Sequence, residues 1–346
     1  MQTERLTRST QAPTLLKCVD VLCSQLDALP PGATVDMAAK STALAMDVLG
    51  AVALGGRSMR ALAGGEPGAT LLRALPDALD ETVRKAVFFW RPWLPRFLAP
   101  GREAALRSRT AANDFVRSVV RDGRSAPPGS LDGTVLGGLL SLPLSDKEIV
   151  AEALTFVIAG HETTANSVAW VVAALVEHPS AQSKFQEELD GVFGRPKRGE
   201  SVASITCDGV AKCDYLHAVI SEATRLNAVT AEGLFRICPE DTALPGGWWI
   251  RKGEIANGAR AAPRSACCSH HQSHHRCFCA VFTHGCNTGG GFPGAFESPR
   301  EFRPERWLPG GSAHPPPPQW LPFSAGSRDC VGQVSEGVPC SLFVLI

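Results

Sequence analysis

The chain has 346 residues, enough for a sizeable core or two domains, and its 34 basic side chains balance 34 acidic ones, so nothing in its charge calls for a nucleic acid or an acidic partner. No apolar run reaches the ~18 residues that a membrane span needs, and the polar, charged start from Met1 to Gln11 does not read as a secretory signal peptide. Twelve cysteines would suit a disulfide scaffold in a short secreted chain; at this length and without a signal they read as mostly reduced thiols.

From residue 13 to about 120 the pattern is one of amphipathic helices. Leu15, Leu16, Val19, Val21, Leu22 and Leu26 recur at helical spacing. Pro30-Pro31-Gly32 breaks the chain, a second helix runs from Val35 to Leu54, and Gly55-Gly56 ends it. After the turn at Gly64 to Gly68 a third helix covers roughly Thr70 to Phe89. Trp90 to Pro95 reads as a loop with large apolar anchors, and Arg102 to Arg121 as a basic helix with Ala105, Phe115, Val116, Val119 and Val120 on its apolar side. Core packing accounts for all of these positions.

Gly123 to Ser141 reads as a flexible Gly/Pro-rich linker. A long helix then starts at the capping box of Ser145 and Glu148 and runs to about Glu177, roughly 50 Å at 1.5 Å per residue. Pro179 suits the first turn of the next helix, which reaches Phe193. Inside the long helix, Ala159-Gly160-His161-Glu162-Thr163-Thr164 is a poor choice for an uninterrupted ladder. Thr163 can bond back to a carbonyl one turn earlier and loosen the helix into a small groove. A purely structural kink is the plain alternative, and His161 reads as a helix-face residue rather than a ligand.

Asp214 to Leu226 is a further helix, on which Glu222 and Arg225 share a face three residues apart. Gly233 to Ile237 reads as a strand, followed by a turn at Pro245-Gly246-Gly247 leading into Trp248-Trp249-Ile250. Residues 255 to 296 have neither strand alternation nor helical period. They hold five of the nine histidines and five cysteines between Cys267 and Cys286. Zinc takes such ligands, but no Cys-x-x-Cys pair is present, and a disordered insertion is the favoured reading.

The most telling stretch is Phe323-Ser324-Ala325-Gly326-Ser327-Arg328-Asp329-Cys330-Val331-Gly332-Gln333. One cysteine lies between two glycines, with an arginine two positions before it. That combination suits the presentation of a thiolate to a flat metal cofactor. A thiolate is a soft, charged ligand for heme iron and needs backbone N–H groups aimed at the sulfur. Gly326 and Gly332 permit tight turns and a close approach of backbone to cofactor. Phe323 would shield the sulfur, and Arg328 can reach a carboxylate at the cofactor's edge. A buried cysteine in a glycine-rich turn is the bland alternative.

This loop resembles the heme-binding loop of the cytochrome P-450 superfamily, Phe-x-x-Gly-x-Arg-x-Cys-x-Gly, at every fixed position. The resemblance implies a mainly α fold with a small β region, a single cytochrome P-450-like domain over 1–346, incomplete at both ends. It identifies Cys330 as the axial ligand of a heme b iron (iron protoporphyrin IX). Ala159 to Thr164 matches the family's oxygen-binding segment, which implies that Glu162 and Thr163 are the acid–alcohol pair delivering protons during dioxygen cleavage. Glu222 and Arg225 match its Glu-x-x-Arg, and Phe302-Arg303-Pro304-Glu305-Arg306-Trp307 its Phe-x-Pro-Glu-Arg segment. Glu222, Arg225 and Arg306 are therefore expected in a buried network under the heme loop, and Arg236 beside a heme propionate.

The implied activity is that of a monooxygenase inserting one atom of dioxygen into an organic, hydrophobic substrate. Electrons would come from a separate reductase, since no Gly-x-Gly-x-x-Gly follows a strand here. Alternatives are a non-catalytic fragment that does not retain heme, a heme-thiolate isomerase or dehydratase, and a zinc module at Cys267 to Cys286. Two segments depart from the pattern: 255–296, expected to be an aberrant insertion, and 334–346, expected to be a non-family tail. Full-length relatives are expected at an endoplasmic reticulum or plastid membrane, with no anchor in this chain.

Overall fold

A computed structural model describes residues 2–87, 101–195, 201, 205–229, 235–244, 248–257, 296–316, 320, 322–324, 329–330 and 332, with side chains described except at 2–11, 80–87, 235–236, 244, 248 and 255–257. The helices are α1 (Gln2–Asp27), α2 (Met37–Val48), α3 (Gly68–Val87), α4 (Arg102–Arg124), α5 (Val135–Leu140), α6 (Asp146–Glu177), α7 (Pro179–Phe193), α8 (Cys207–Val210) and α9 (Asp214–Leu226). A π-turn, Leu49–Ala53, continues α2, and a 3-10 turn spans Pro304–Trp307. Among the described residues four short strands, β1 (Phe235–Ile237), β2 (Thr242–Leu244), β3 (Trp248–Ile250) and β4 (Ile255–Asn257), form two antiparallel pairs, β1 with β4 and β2 with β3.

Two compact units result, Met1–Ala169 with Phe193–Val210 and Trp170–Val192 with Ala211–Leu345. In the first, the core is made by most of the positions that the apolar spacing marked; Val21 is instead exposed, and Leu26 and Phe115 are half-buried. Leu15, Leu16, Val19 and Leu22 of α1 are buried, as are Leu44, Met46 and Val48 of α2 and Val116, Val119 and Val120 of α4. Two of its helix starts have a local cause. Asp36 accepts from the Ala39 N–H at 2.9 Å at the head of α2. At α6 the capping box closes both ways, with Ser145 N–H to Glu148 Oε2 at 2.8 Å and Glu148 N–H to Ser145 Oγ at 3.4 Å.

The stretch expected as a flexible linker, 123–141, is instead a run of exposed turns followed by helix α5, which is packed. Thr134 caps α5 by accepting from the Gly137 N–H at 3.0 Å, and Leu136 and Leu139 are buried. Gly137 serves close approach: a Cβ there would lie 2.2 Å from the Leu131 carbonyl oxygen. The loop carrying Met59, Ala61 and Leu62 is held by Asp47, whose carboxylate accepts from the N–H groups of Ala61 at 2.7 Å and Leu62 at 3.0 Å.

In the second unit, α9 packs against the 3-10 turn. Cys213, the residue before α9, gives no side-chain cap. Glu188 of α7 takes its place, accepting from Tyr215 N–H at 2.7 Å on one carboxylate oxygen and from Leu216 N–H at 2.9 Å on the other. The anionic carboxylate sits where the helix N-terminus carries its partial positive charge. Ala218, Trp307 and Ala313 form a small core closed by Phe296, Leu308 and Trp320. Among the described residues no helix is long and apolar enough to cross a membrane.

Candidate active site

Three groups of residues carry the functional reading. The first is on α6. The helix runs from Asp146–Glu177 without a break, so the expected groove is not a rupture of the ladder. The local effect is finer: the Thr163 hydroxyl donates to the Ala159 carbonyl one turn back at 2.5 Å. Glu162 and Thr163 are both exposed, on a stripe of α6 shared with Thr155 and Ala159. His161 points the other way. It is buried, and its Nδ1 lies 2.9 Å from the Val157 carbonyl oxygen, so Nδ1 carries the proton.

The second group is the cysteine loop. Cys330 N–H donates to the Phe323 carbonyl at 2.8 Å, closing the loop on itself. Phe323 is half-buried, Ser324 takes a φ of +67°, and the Cys330 thiol is exposed. Gly332 flanks the sulfur, where a Cβ would lie 3.5 Å from Sγ. Gly326 and Arg328 lie outside the described residues, as does the Arg236 side chain; the Arg236 backbone pairs with Ala256 in the β1–β4 ladder. The described residues fit a heme. They offer one accessible soft donor, Cys330 Sγ, with the Gly332 side left open. A lone thiolate is the donor set of an iron whose other positions a porphyrin fills. Two other described cysteines sit in more enclosed surroundings. Burial, helped by the Asp47 carboxylate, pushes the Cys18 thiol up to about 11. Burial, helped by Glu188 and Asp214, does the same for Cys213, also to about 11.

The third group is a buried ion cluster. Glu222, Arg225 and Arg306 are at most 2% exposed. Glu222 Oε2 accepts from Arg225 Nε at 2.7 Å and from Trp307 Nε1 at 2.9 Å. Oε1 accepts from Arg225 Nη2, Arg303 N–H and Arg306 Nε, each at 2.9 Å. Two guanidiniums thus face one carboxylate. The surplus positive charge is spread over carbonyls of the 297–301 loop: Arg225 donates to Pro299 O at 2.7 Å, and Arg306 to Glu297 O at 2.7 Å. Burial alone would raise the Glu222 carboxyl. The hydrogen bonds and charge of Arg225, with those of Arg303 N–H and Trp307, outweigh it and hold Glu222 below the usual carboxylate range.

The parts played by Trp307 and Glu305 escaped the sequence reading, although both lie in the Phe302 to Trp307 segment it named. Trp307 both closes the Glu222 cluster and packs on Trp320, with ring centroids 4.9 Å apart, and Trp320 stands three residues before Phe323. On the other side of the same turn, Glu305 accepts from Lys184 Nζ at 2.7 Å and from the Tyr215 hydroxyl at 3.0 Å. The only available signal was the Glu-Arg-Trp tripeptide, which does not say which partners its side chains find.

The family model described as Cytochrome P450 matches residues 3–256 and 293–334. A self-sufficient cytochrome P450 monooxygenase of Aspergillus kawachii is 31% identical over 229 residues, covering 64% of this chain and 19% of that protein. Cytochrome P450 3A2 of Rattus norvegicus is 33% identical over 189 residues, 55% of this chain and 31% of its own length. Leukotriene-B4 omega-hydroxylase 3 of Mus musculus is 30% identical over 190 residues, 55% of this chain and 30% of its own. The solved heme domain of cytochrome P450DA matches with a TM-score of 0.73 at 22% identity, covering 98% of this chain and 66% of the domain. A mutant of that domain matches with a TM-score of 0.74 at 23% identity, covering 99% of this chain and 66% of the domain.

The chain belongs to the cytochrome P450 family. Its fold is the mainly α one with a small β region that the family's solved structures display. It spans less than a third of the length of these curated relatives and 66% of the solved heme domains. Family membership implies a heme cofactor.

Proposed function

We propose that this chain is part of a heme-thiolate monooxygenase that inserts one atom of dioxygen into a hydrophobic organic substrate, using electrons from a separate reductase. The observation that carries the reading is the exposed Cys330 thiol on a loop closed by the Cys330 N–H to Phe323 O bond, within the matched family segment.

In this reading Cys330 holds heme b through its thiolate, Arg328 and Arg236 meet the propionates, and Phe323, Gly326 and Gly332 shape the cradle. When bound, the heme supplies the iron at which dioxygen is activated. Glu162 and Thr163 handle protons. The Thr163 hydroxyl, which donates to Ala159 O, can rotate to offer its proton to a ligand, and the exposed Glu162 carboxyl replenishes it from solvent. Glu222, Arg225 and Arg306 act as scaffold for the loop, since a buried ionic network rigidifies only when every member is paired. The domain reading is one cytochrome P450-type domain over 1–346, interrupted by an aberrant insertion and followed by a non-family tail at 334–346; the insertion, expected over 255–296, is narrower than that, since Ile255–Asn257 form β4 against β1 and Phe296 packs on Trp307, and 258–295 lie outside the described residues. Support comes from the family match, which passes over 257–292 and stops at 334. Anchoring of the longer protein to an endoplasmic reticulum or plastid membrane belongs to the same proposal.

The test is reconstitution of the chain with heme and a carbon monoxide difference spectrum. A thiolate-type band that Cys330→Ser abolishes is expected. Reductase and labelled dioxygen should then place one labelled atom in an oxidised product. Absence of the band, or a band unaffected by Cys330→Ser, overturns the reading. A thiolate band with no dioxygen uptake at all favours the isomerase or dehydratase alternative instead.

A further inference from the structure

The carbonyl that receives the Thr163 hydroxyl, Ala159 O, belongs to the same peptide unit as the Gly160 N–H. A Cβ at Gly160 would lie 3.0 Å from Leu49 Cδ1, so the missing side chain lets Leu49 bear directly on that unit. Leu49 opens the π-turn, and the Leu54 N–H donates to its carbonyl at 3.1 Å across five residues. Single π-turns joined to α-helices are frequent at functional sites. This one is pinned from behind. A Cβ at Gly50 would lie 2.3 Å from Met59 Cγ and 2.4 Å from the Arg57 carbonyl oxygen, and Met59 is buried. The Asp47 carboxylate ties down the next residues of that loop, Ala61 and Leu62. Leu49 therefore presses on α6 from a backbone that has little room to withdraw.

We infer that Leu49 is a positioning residue for Thr163, acting through the Ala159–Gly160 peptide unit. A hydroxyl donating to a backbone carbonyl has its one proton committed; it gives that proton elsewhere only after rotating away. Leu49 holds the tilt of the peptide and so sets how firmly Ala159 O retains the hydroxyl. This rests on the reading that Thr163 handles a proton in the proposed reaction.

The test uses Gly160→Ala, Leu49→Ala and the double variant in the full chain. The first measurement needs no heme: amide hydrogen exchange, read by mass spectrometry over residues 159–167. Each single variant should speed exchange by roughly fivefold, and the double should return toward the parent because the space vacated at 49 accepts the added methyl. The second uses heme-loaded protein with reductase and scores the share of reducing equivalents lost as hydrogen peroxide. That share should rise about fivefold in each single variant with substrate KM unchanged, and fall back in the double. If both single variants match the parent, or the double restores neither measurement, the assignment of Leu49 is wrong. Thr163→Val separates the two layers. A peroxide share unmoved by Thr163→Val overturns the Thr163 reading itself. One that rises with Thr163→Val but not with Leu49→Ala or Gly160→Ala overturns only the role of Leu49.

Discussion

The Trp307 indole N–H donates to Oε2 of Glu222 at 2.9 Å, inside a cluster closed to solvent. The same indole packs at a tilt against Trp320, so a single ring joins the buried ions to the chain leading into the cysteine loop. Trp307→Phe keeps that packing and removes only the donor. The expected loss is about 1.5–3 kcal/mol, the value of a hydrogen bond to a charged group. Trp320→Phe should cost less, since no indole bond to Glu222 is lost. Denaturant midpoints of the two variants check the order.

Glu222→Gln removes the charge at which two guanidiniums and two further N–H groups converge. Leaving buried cations without their anion should cost about 3–5 kcal/mol. The pH dependence has a definite sign. The folded carboxyl is held below its usual range while the unfolded one titrates near ~4.3. Between those values the unfolded chain binds a proton that the folded chain does not. The stabilisation is therefore complete above about pH 4.3 and is lost as pH falls through the folded value. Unfolding followed downward from pH 6, through the unfolded value near ~4.3 and below it, should show this slope, and Glu222→Gln should flatten it.

Glu188 caps α9 from another helix, so its removal should act as the loss of an N-cap does. Glu188→Ala is expected to cost about 1 kcal/mol. Cys213→Ser can supply a local capping hydroxyl beside the same N–H groups, and in the Glu188→Ala background it should recover part of that loss. Thermal unfolding of the two variants measures both effects.

Tyr215 is the chain's single tyrosine, so its ionisation can be read directly by absorbance. Burial, the Glu305 carboxylate beside it and the bond to that carboxylate all push its phenol well above the ordinary value of ~10. Above pH ~10 the unfolded chain releases a proton that the folded chain keeps, so stability should fall as pH rises there. Glu305→Gln should bring the absorbance transition back down.

Alkylation at mild alkaline pH should separate the described thiols. Cys330 is exposed, whereas Cys18 and Cys213 are held as thiols up to about 11. Peptide mapping after brief treatment should find Cys330 modified and Cys18 and Cys213 spared. Modification of Cys213 ahead of Cys330 would contradict the burial described for α9.

Helix positions were legible wherever an apolar period met a local stop. Asp214–Leu226 begins and ends where its spacing placed it, and the Ser145–Glu148 box starts α6 because a cap is made within four residues. The region from Gly123 to Ser141 was misread because glycine and proline look the same in a loose linker and in a tightly packed turn. Only the approach of Leu131 to Gly137 tells them apart.

Local order in the chain settled what lies within one turn or one loop: the Glu222–Arg225 pair, the Thr163 hydroxyl on Ala159 and the cysteine motif itself. These depend on spacing, and spacing is written in the residues. Contacts across long stretches belonged to the folded molecule alone. Trp307 reaching Glu222, Glu188 capping α9 and Leu49 meeting Gly160 each join residues between 27 and 111 positions apart. No period or motif encodes such a meeting; it follows from how helices pack and which buried polar groups must then find partners.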